Sequence, residues 1–406
     1  MKNPKARLSR RAFLSSAAAG VVSAGIAGMY PVPGLAQQAE EKKTASGEII
    51  YRRIERTGMH IPIVSMGVMN ANNPAIVQAS YELGVRHFDT AANYQLGANE
   101  QMVGSVIKKL GVRDKVNIGT KGYVPGQRVS DPKEAVKKIL GLCSASLSRL
   151  KSDYIDIFYI HDVSSGQVVR DPGIIEALAT LKDQKKILAT GLATHANMAD
   201  VINAAAETGS YDVILTSFNF TMAGDAALLA AIENAGRKGM GIVTMKALAG
   251  GARWPNPASR RNYPTEVIIS AALKWVLNNP HITTAIPGYD NFDHMRQDFA
   301  VASNLEFTEQ EKKFLSDNEV VLGFEFCRQC RQCLASCPNG VDIPTLMRTH
   351  MYAAQYGNLV HARQTYDTIP EGQNLRACGS CDECAAQCAN SVNIDRRIRE
   401  LKTIYV

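Results

Sequence analysis

Between residues 49 and 305, short apolar or β-branched runs alternate with longer stretches whose apolar positions recur at helical spacing. The runs are IPIVSMG, VRHFDT, KVNIGTK, YIDIFYIH, ILATGLAT, VILTSFNF, GIVTMKAL and TTAIPG, eight in all. Between them, SDPKEAVKKILGLCSASLSRL opens on Asp131-Pro132, a capping side chain followed by a residue suited to a first helical turn. PTEVIISAALKWVLNN also starts on a proline. Ahead of the first run, two extended pieces flank Thr57-Gly58, which predicts a hairpin. Eight strand and helix units over this length predict an α/β fold, a (β/α)8 TIM barrel, whose chemistry sits at the carboxyl ends of its strands. The competing open, doubly wound sheet would carry G-x-G-x-x-G at the opening of its first helix, and this chain has none there.

Four polar residues stand where strands finish: Asp89 and Tyr94 in HFDTAANY, Lys121 closing NIGTK, and His161 closing DIFYIH. Singly, each has an ordinary role open to it: a helix cap, a core aromatic, a solvated strand end, a buried imidazole. Their joint position gives them weight. With Gly97-Ala98-Asn99-Glu100, Thr120-Lys121, D-Y-I-D-x3-I-H and MKALAGG in the same order, residues 49–305 resemble the aldo-keto reductases. The resemblance implies a catalytic tetrad acting on a small carbonyl or alcohol. Tyr94 passes the proton while hydride moves at the same carbon, Lys121 lowers the tyrosine pKa, Asp89 holds Lys121, and His161 orients the substrate oxygen. It also implies NADP(H) or NAD(H), but the binding positions depart from the family. Ala193, Thr194 and Leu215 stand where the carboxamide would be gripped, Met245 where an aromatic would stack, and Gly288 and His294 where a 2′-phosphate would be clamped, with Arg296 close by. Each charge-assisted bond lost removes about 1.5–3 kcal/mol. Gly250 and Gly251 either cradle a pyrophosphate through backbone amides or only make a turn.

After a connecting segment, 306–326, the pattern changes again in 327–406. Cys327, Cys330, Cys333 and Cys337 are spaced C-x2-C-x2-C-x3-C, and Cys378, Cys381, Cys384 and Cys388 repeat that spacing, with helix-favouring residues between. The ninth cysteine, Cys143, falls on the apolar face of a barrel helix. Structural zinc takes C-x2-C pairs, and disulfides between partners two residues apart are strained, so the spacing favours iron-sulfur ligation. The repeat resembles the mainly helical dicluster ferredoxins. That resemblance implies two [4Fe-4S] clusters, one on Cys327, Cys330, Cys333 and Cys388, the other on Cys378, Cys381, Cys384 and Cys337. Ala389 departs from the proline expected after the fourth cysteine.

The net charge is +7, but Lys2, Lys5, Arg7, Arg10 and Arg11 lie in residues 1–36, which contain no acid. About +2 remains elsewhere, which argues against a nucleic-acid partner. The basic start, the mild SSAAAGVVSAGIAGM and the Gly34-Leu35-Ala36 cleavage site read as a leader, with 37–48 as linker. No stretch is long and apolar enough for a transmembrane helix. Ser9-Arg10-Arg11-Ala12-Phe13-Leu14 resembles the twin-arginine signal, which implies passage through the twin-arginine translocase to the periplasm, folded and with clusters in place. Cysteines exported as iron ligands would escape oxidation. The expectation is an exported oxidoreductase interconverting a carbonyl and an alcohol, with clusters passing electrons to a redox partner. The alternative is an electron-transfer subunit that uses the barrel as a scaffold.

Overall fold

The computed structural model of the chain describes residues 47–124, 131–250, 262–381 and 383–406. The leader, nearly all of the linker and Gly251 lie outside the described residues. A hairpin comes first, pairing β1 (Tyr51–Arg53) antiparallel with β2 (His60–Pro62) around the predicted turn. Its Ile54 and Ile61 belong to the barrel's interior cluster, with Ile157, Val213 and Val243. Arg56 fastens the turn to the barrel by donating to the Tyr211 carbonyl at 2.5 Å and the Lys238 carbonyl at 3.0 Å. The hairpin thus stoppers the amino-terminal end of the barrel, away from the strand ends that carry the polar residues.

The eight runs form eight strands: β3 (Met66–Gly67), β4 (His87–Asp89), β5 (Asn117–Tyr123), β6 (Ile155–His161), β7 (Ile187–Thr194), β8 (Val213–Ser217), β9 (Gly241–Met245) and β10 (Thr284–Ala285). Neighbours in sequence are neighbours in the sheet, all parallel. Bridges Val64–Ala285 and Gly67–Gly288 join the last strand to the first and close the (β/α)8 barrel. Register places Asp89 beside Gly67 and Gly119, and His161 beside Tyr123, so the polar strand ends face one opening.

Helices follow the strands in turn: α1 (Pro74–Leu83), α2 (Ala98–Leu110), α3 (Pro132–Leu150), the short α4 (Gly166–Val169), α5 (Pro172–Asp183), α6 (Met198–Thr208), α7 (Ala226–Arg237), α8 (Thr265–Leu277) and α9 (Phe292–Phe299). The start signals act as expected in α3, where Asp131 accepts from the Lys133 amide and Pro132 takes the first turn. Its buried Ala135, Ile139, Cys143, Ser146 and Leu150 form one stripe against the sheet. Gly104 lets α2 meet the end of α3, because a Cβ there would lie 2.2 Å from the Leu150 carbonyl oxygen.

Beyond the barrel lie α10 (Glu309–Ser316), α11 (Asn318–Gly323), α12 (Ile343–His350), which runs on through a π-helical turn at Met351–Gln355, α13 (Leu359–Tyr366) and α14 (Ile394–Tyr405). The connecting segment is packed onto the barrel: Phe314 meets Phe220 at 5.5 Å, and Glu311 pairs with the buried Lys274 at 3.0 Å. The tail divides its loyalties. Val341, Leu346, Met347, Val392 and Ile398 make a small core of their own, whereas Met351, Tyr352 and Ala362 belong to the barrel's main core. Among the described residues no helix is long and apolar enough to cross a membrane.

Candidate active site and sulfur rings

Asp89 ends β4 and Lys121 sits in β5, and register brings their side chains together inside the barrel, where both are buried. The Lys121 ammonium pairs with Asp89 and donates to the Thr90 carbonyl at 2.6 Å. Burial alone would drive the lysine down and the aspartate up towards neutrality, and each partner opposes this in the other. The pair is read as charged, since splitting it would leave a buried, uncompensated group.

Tyr94 follows β4 in the turn that leads to α2, with its ring 5.3 Å from the Lys121 ammonium and edge-on to the His161 ring at 6.2 Å. The tetrad is therefore brought together, with Asp89 and Tyr94 lining a cavity of ≈ 740 Å³ at the carboxyl ends of the strands. One expectation is corrected. Burial, followed by the Asp89 charge and Tyr352 and Tyr356, pushes the Tyr94 hydroxyl well above its ordinary value. Burial and the Asp89 charge outweigh the Lys121 ammonium, which is paired with Asp89. The hydroxyl therefore keeps its proton at neutral pH. Burial, aided by Lys121, holds the His161 imidazole down at about 3, so it is neutral and can donate or accept one hydrogen bond.

The expected cofactor positions divide. Leu215, Met245, Gly250 and Gly288 line the cavity. Ala193 is buried in the barrel interior, and its carbonyl accepts from the Val163 amide at 2.8 Å. Thr194 turns its hydroxyl to the Ala196 carbonyl at 2.9 Å. His294 lies on α9 and bonds Asp290 at 2.8 Å, while Arg296 is engaged by Asp293 at 2.5 Å. Gly250, at φ +70°, is approached by the tail: a Cβ there would lie 2.9 Å from the Met351 sulfur. Leu215 and Met245 thus offer an apolar wall for a flat ring, and the cavity fits a nicotinamide at that face. Lys246, next to Met245, lines the cavity too, but burial and the Arg348 charge push its amine well below the ordinary value.

Several site residues carry no motif and come from the tail. Tyr352 and Tyr356 close the cavity, and the Tyr352 hydroxyl accepts from Lys246 at 3.0 Å. His361 meets the Tyr94 ring at 5.3 Å and Tyr352 at 4.5 Å. Arg348 clamps Asp162, the residue after His161, through two bonds of 2.7 and 3.0 Å. Burial would raise the Asp162 carboxyl, but Arg348 holds it below the usual carboxylate range. His195, beside Thr194, lines the cavity as well.

Two further cavities lie in the tail. One, of ≈ 340 Å³, is lined by Cys327, Cys330, Cys333 and Cys388. The other, of ≈ 570 Å³, is lined by Cys337, Cys378, Cys381 and Cys384. The structure thus gathers three cysteines of each repeat with the last cysteine of the other. All of these thiols are free. Among the described residues no three His, Cys, Asp or Glu side chains stand close enough to hold a single metal ion. Four sulfurs lining one void fit a cubane cluster, as the cysteine spacing does. Amides point at the rings: Gln329 Nε2 donates to Cys327 at 3.3 Å and Asn339 Nδ2 to Cys381 at 3.2 Å.

A closed barrel with this tetrad at its mouth has the make-up of an oxidoreductase, and comparison with known proteins agrees. The model of the aldo/keto reductase family matches residues 59–266, just over half of the chain, and that of the 4Fe-4S dicluster domain matches 326–393. The chain belongs to the aldo/keto reductase family. It is 26% identical over 311 residues to L-galactose dehydrogenase of Arabidopsis thaliana, covering 68% of this chain and 95% of that one. A holo-form aldo-keto reductase from Bacillus halodurans has the same fold, with a TM-score of 0.54 at 22% identity over 66% of this chain and 95% of the other. So does an aldo/keto reductase from Klebsiella pneumoniae in complex with NADP and acetate, with a TM-score of 0.51 at 21% identity over 65% and 93%.

Proposed function

We propose that this protein interconverts a small carbonyl compound and its alcohol in the barrel, and that two [4Fe-4S] clusters in the tail exchange electrons with a redox partner. The observation that carries the reading is the meeting of Asp89, Tyr94, Lys121 and His161 at one mouth. In the reducing direction the neutral His161 holds the substrate oxygen. Tyr94, whose hydroxyl stays protonated, gives its proton to that oxygen as electrons arrive at the carbon. Lys121, fixed by Asp89, places positive charge behind the tyrosine and stabilises the phenolate left behind. A nicotinamide, when bound, would supply the hydride. The Klebsiella pneumoniae structure, which holds NADP, and the Leu215–Met245 wall support such a group. We further propose export to the periplasm through the twin-arginine translocase, supported by the Arg10-Arg11 leader and by the need to protect eight thiols as iron ligands.

Anaerobically purified holoprotein tests this. With glyceraldehyde and NADPH or NADH, Tyr94→Phe should lower turnover by about 10²–10⁴-fold, with iron and acid-labile sulfide unchanged. Turnover equal to that of the wild type would remove the barrel chemistry. Absence of turnover in both proteins, with iron present, would favour the scaffold reading.

A further inference from the structure

The two sulfur rings stand in unlike places. Cys327, of the first ring, also lines a separate cavity of ≈ 340 Å³ whose lining includes His195 and Lys246. Those same two side chains line the tetrad's cavity. The first ring's surroundings and the tetrad's cavity therefore share side chains. The cavity of the second ring is lined only by residues of the tail.

Their electrostatic surroundings differ too. Arg328 and Arg331 line the first ring's cavity, and Arg397 stands with Cys327 around the cavity that faces the barrel, beside Arg348, whose charge is met by Asp162. At the second ring, Arg399 is neutralised by Asp395 at 2.5 Å, and Lys402 donates to the Cys378 carbonyl at 3.1 Å. A cubane bound by four thiolates is an anion that gains one more negative charge on reduction. Nearby cations and N–H donors therefore raise its potential.

Arg397 is the residue on which this turns. It projects from α14 and is only 3% exposed. Its nearest acid is Glu325, at 3.6 Å. Its Nε–H is buried without an acceptor. Burying a guanidinium donor unsatisfied is costly, and the sulfur shell of a cluster is the acceptor chemistry that the neighbouring Cys327 would bring. We propose that Arg397 is a tuning residue: its Nε–H donates to the sulfur shell of the cluster on Cys327, Cys330, Cys333 and Cys388 and makes that cluster the higher-potential one of the two. An electron shared between the pair then rests beside the barrel. As the inner cluster is reduced the outer is oxidised, and no outside reagent enters the balance.

The inference rests on the proposal that both rings hold clusters, and the test separates the two. Anaerobic holoprotein is titrated redox-potentiometrically and followed by low-temperature EPR. The wild type should show two steps. Arg397→Gln should move the upper step towards the lower and leave the lower in place. Arg397→Lys, which keeps the charge but loses the Nε–H, should move it part of the way. Lys402→Gln should shift the lower step alone. Coincident wild-type steps, or an upper step unmoved in Arg397→Gln, overturn the role of Arg397. If the glutamine variant fails to load iron, an upper step unmoved in Arg397→Lys does the same. A wild type without iron or EPR signal overturns the clusters themselves.

Discussion

Replacing Arg348 by methionine removes the guanidinium that joins the tail to the barrel and leaves the Asp162 carboxylate facing a tight interface. Arg348 is 8% exposed and Asp162 24%, and two hydrogen bonds connect them. Breaking a buried pair by removing one partner costs about 3–5 kcal/mol. Because water reaches a quarter of Asp162, the lower end applies, about 3 kcal/mol, or about two orders of magnitude in the folding equilibrium. Asp162→Asn should cost a similar amount, because it strands the arginine. The double variant should cost less than the sum of the singles by about 2 kcal/mol or more, since neither charge then remains alone. Anaerobic urea unfolding followed by far-ultraviolet circular dichroism measures all four corners of this cycle. A cost for Arg348→Met under about 1 kcal/mol, the range of an exposed pair, or strictly additive single variants, would refute the clamp.

Two further outcomes follow from the same interior. Burial holds His87, His161 and His361 at about 3, well under the ordinary value of about 6.5. Protonation therefore favours the unfolded chain: their contribution to stability is complete above about pH 6.5 and is lost as the pH falls from there towards 3, as chemical unfolding at stepped pH will show. Carbonyl reduction should meanwhile be flat between about pH 6 and 9, since neither Tyr94 nor His161 titrates there. Two of the helical glycines should respond oppositely. Gly104→Ala drives a methyl into the Leu150 backbone and should cost about 1–3 kcal/mol, whereas Gly141→Ala, in α3 with nothing within 4 Å of its Cβ, should gain about 0.5–1 kcal/mol, both read by thermal denaturation.

The barrel was legible because each strand is a local pattern: a run such as IDIFYIH, buried throughout, reads as a strand wherever it is placed. Asp89, Tyr94, Lys121 and His161 were legible because strand ends share one opening in this architecture. The gathering of Cys388 with Cys327 was legible only through resemblance, since spacing alone does not say which thiols meet. Arg348, Tyr352 and His361 were not legible. They sit in helical sequence without a motif, and their meaning comes from contacts with residues nearly two hundred positions or more away, such as Asp162 and Tyr94. Nor does a sequence show that Lys121 spends its charge on Asp89, or that burial outweighs the ammonium at Tyr94.

The crosswise sharing of Cys337 and Cys388 has a consequence for inheritance. Two self-sufficient copies would tolerate the decay of either one, because the survivor would still work. Here each copy lends a sulfur to its sibling, so a lesion in one repeat damages both rings, and selection meets the pair as a single unit.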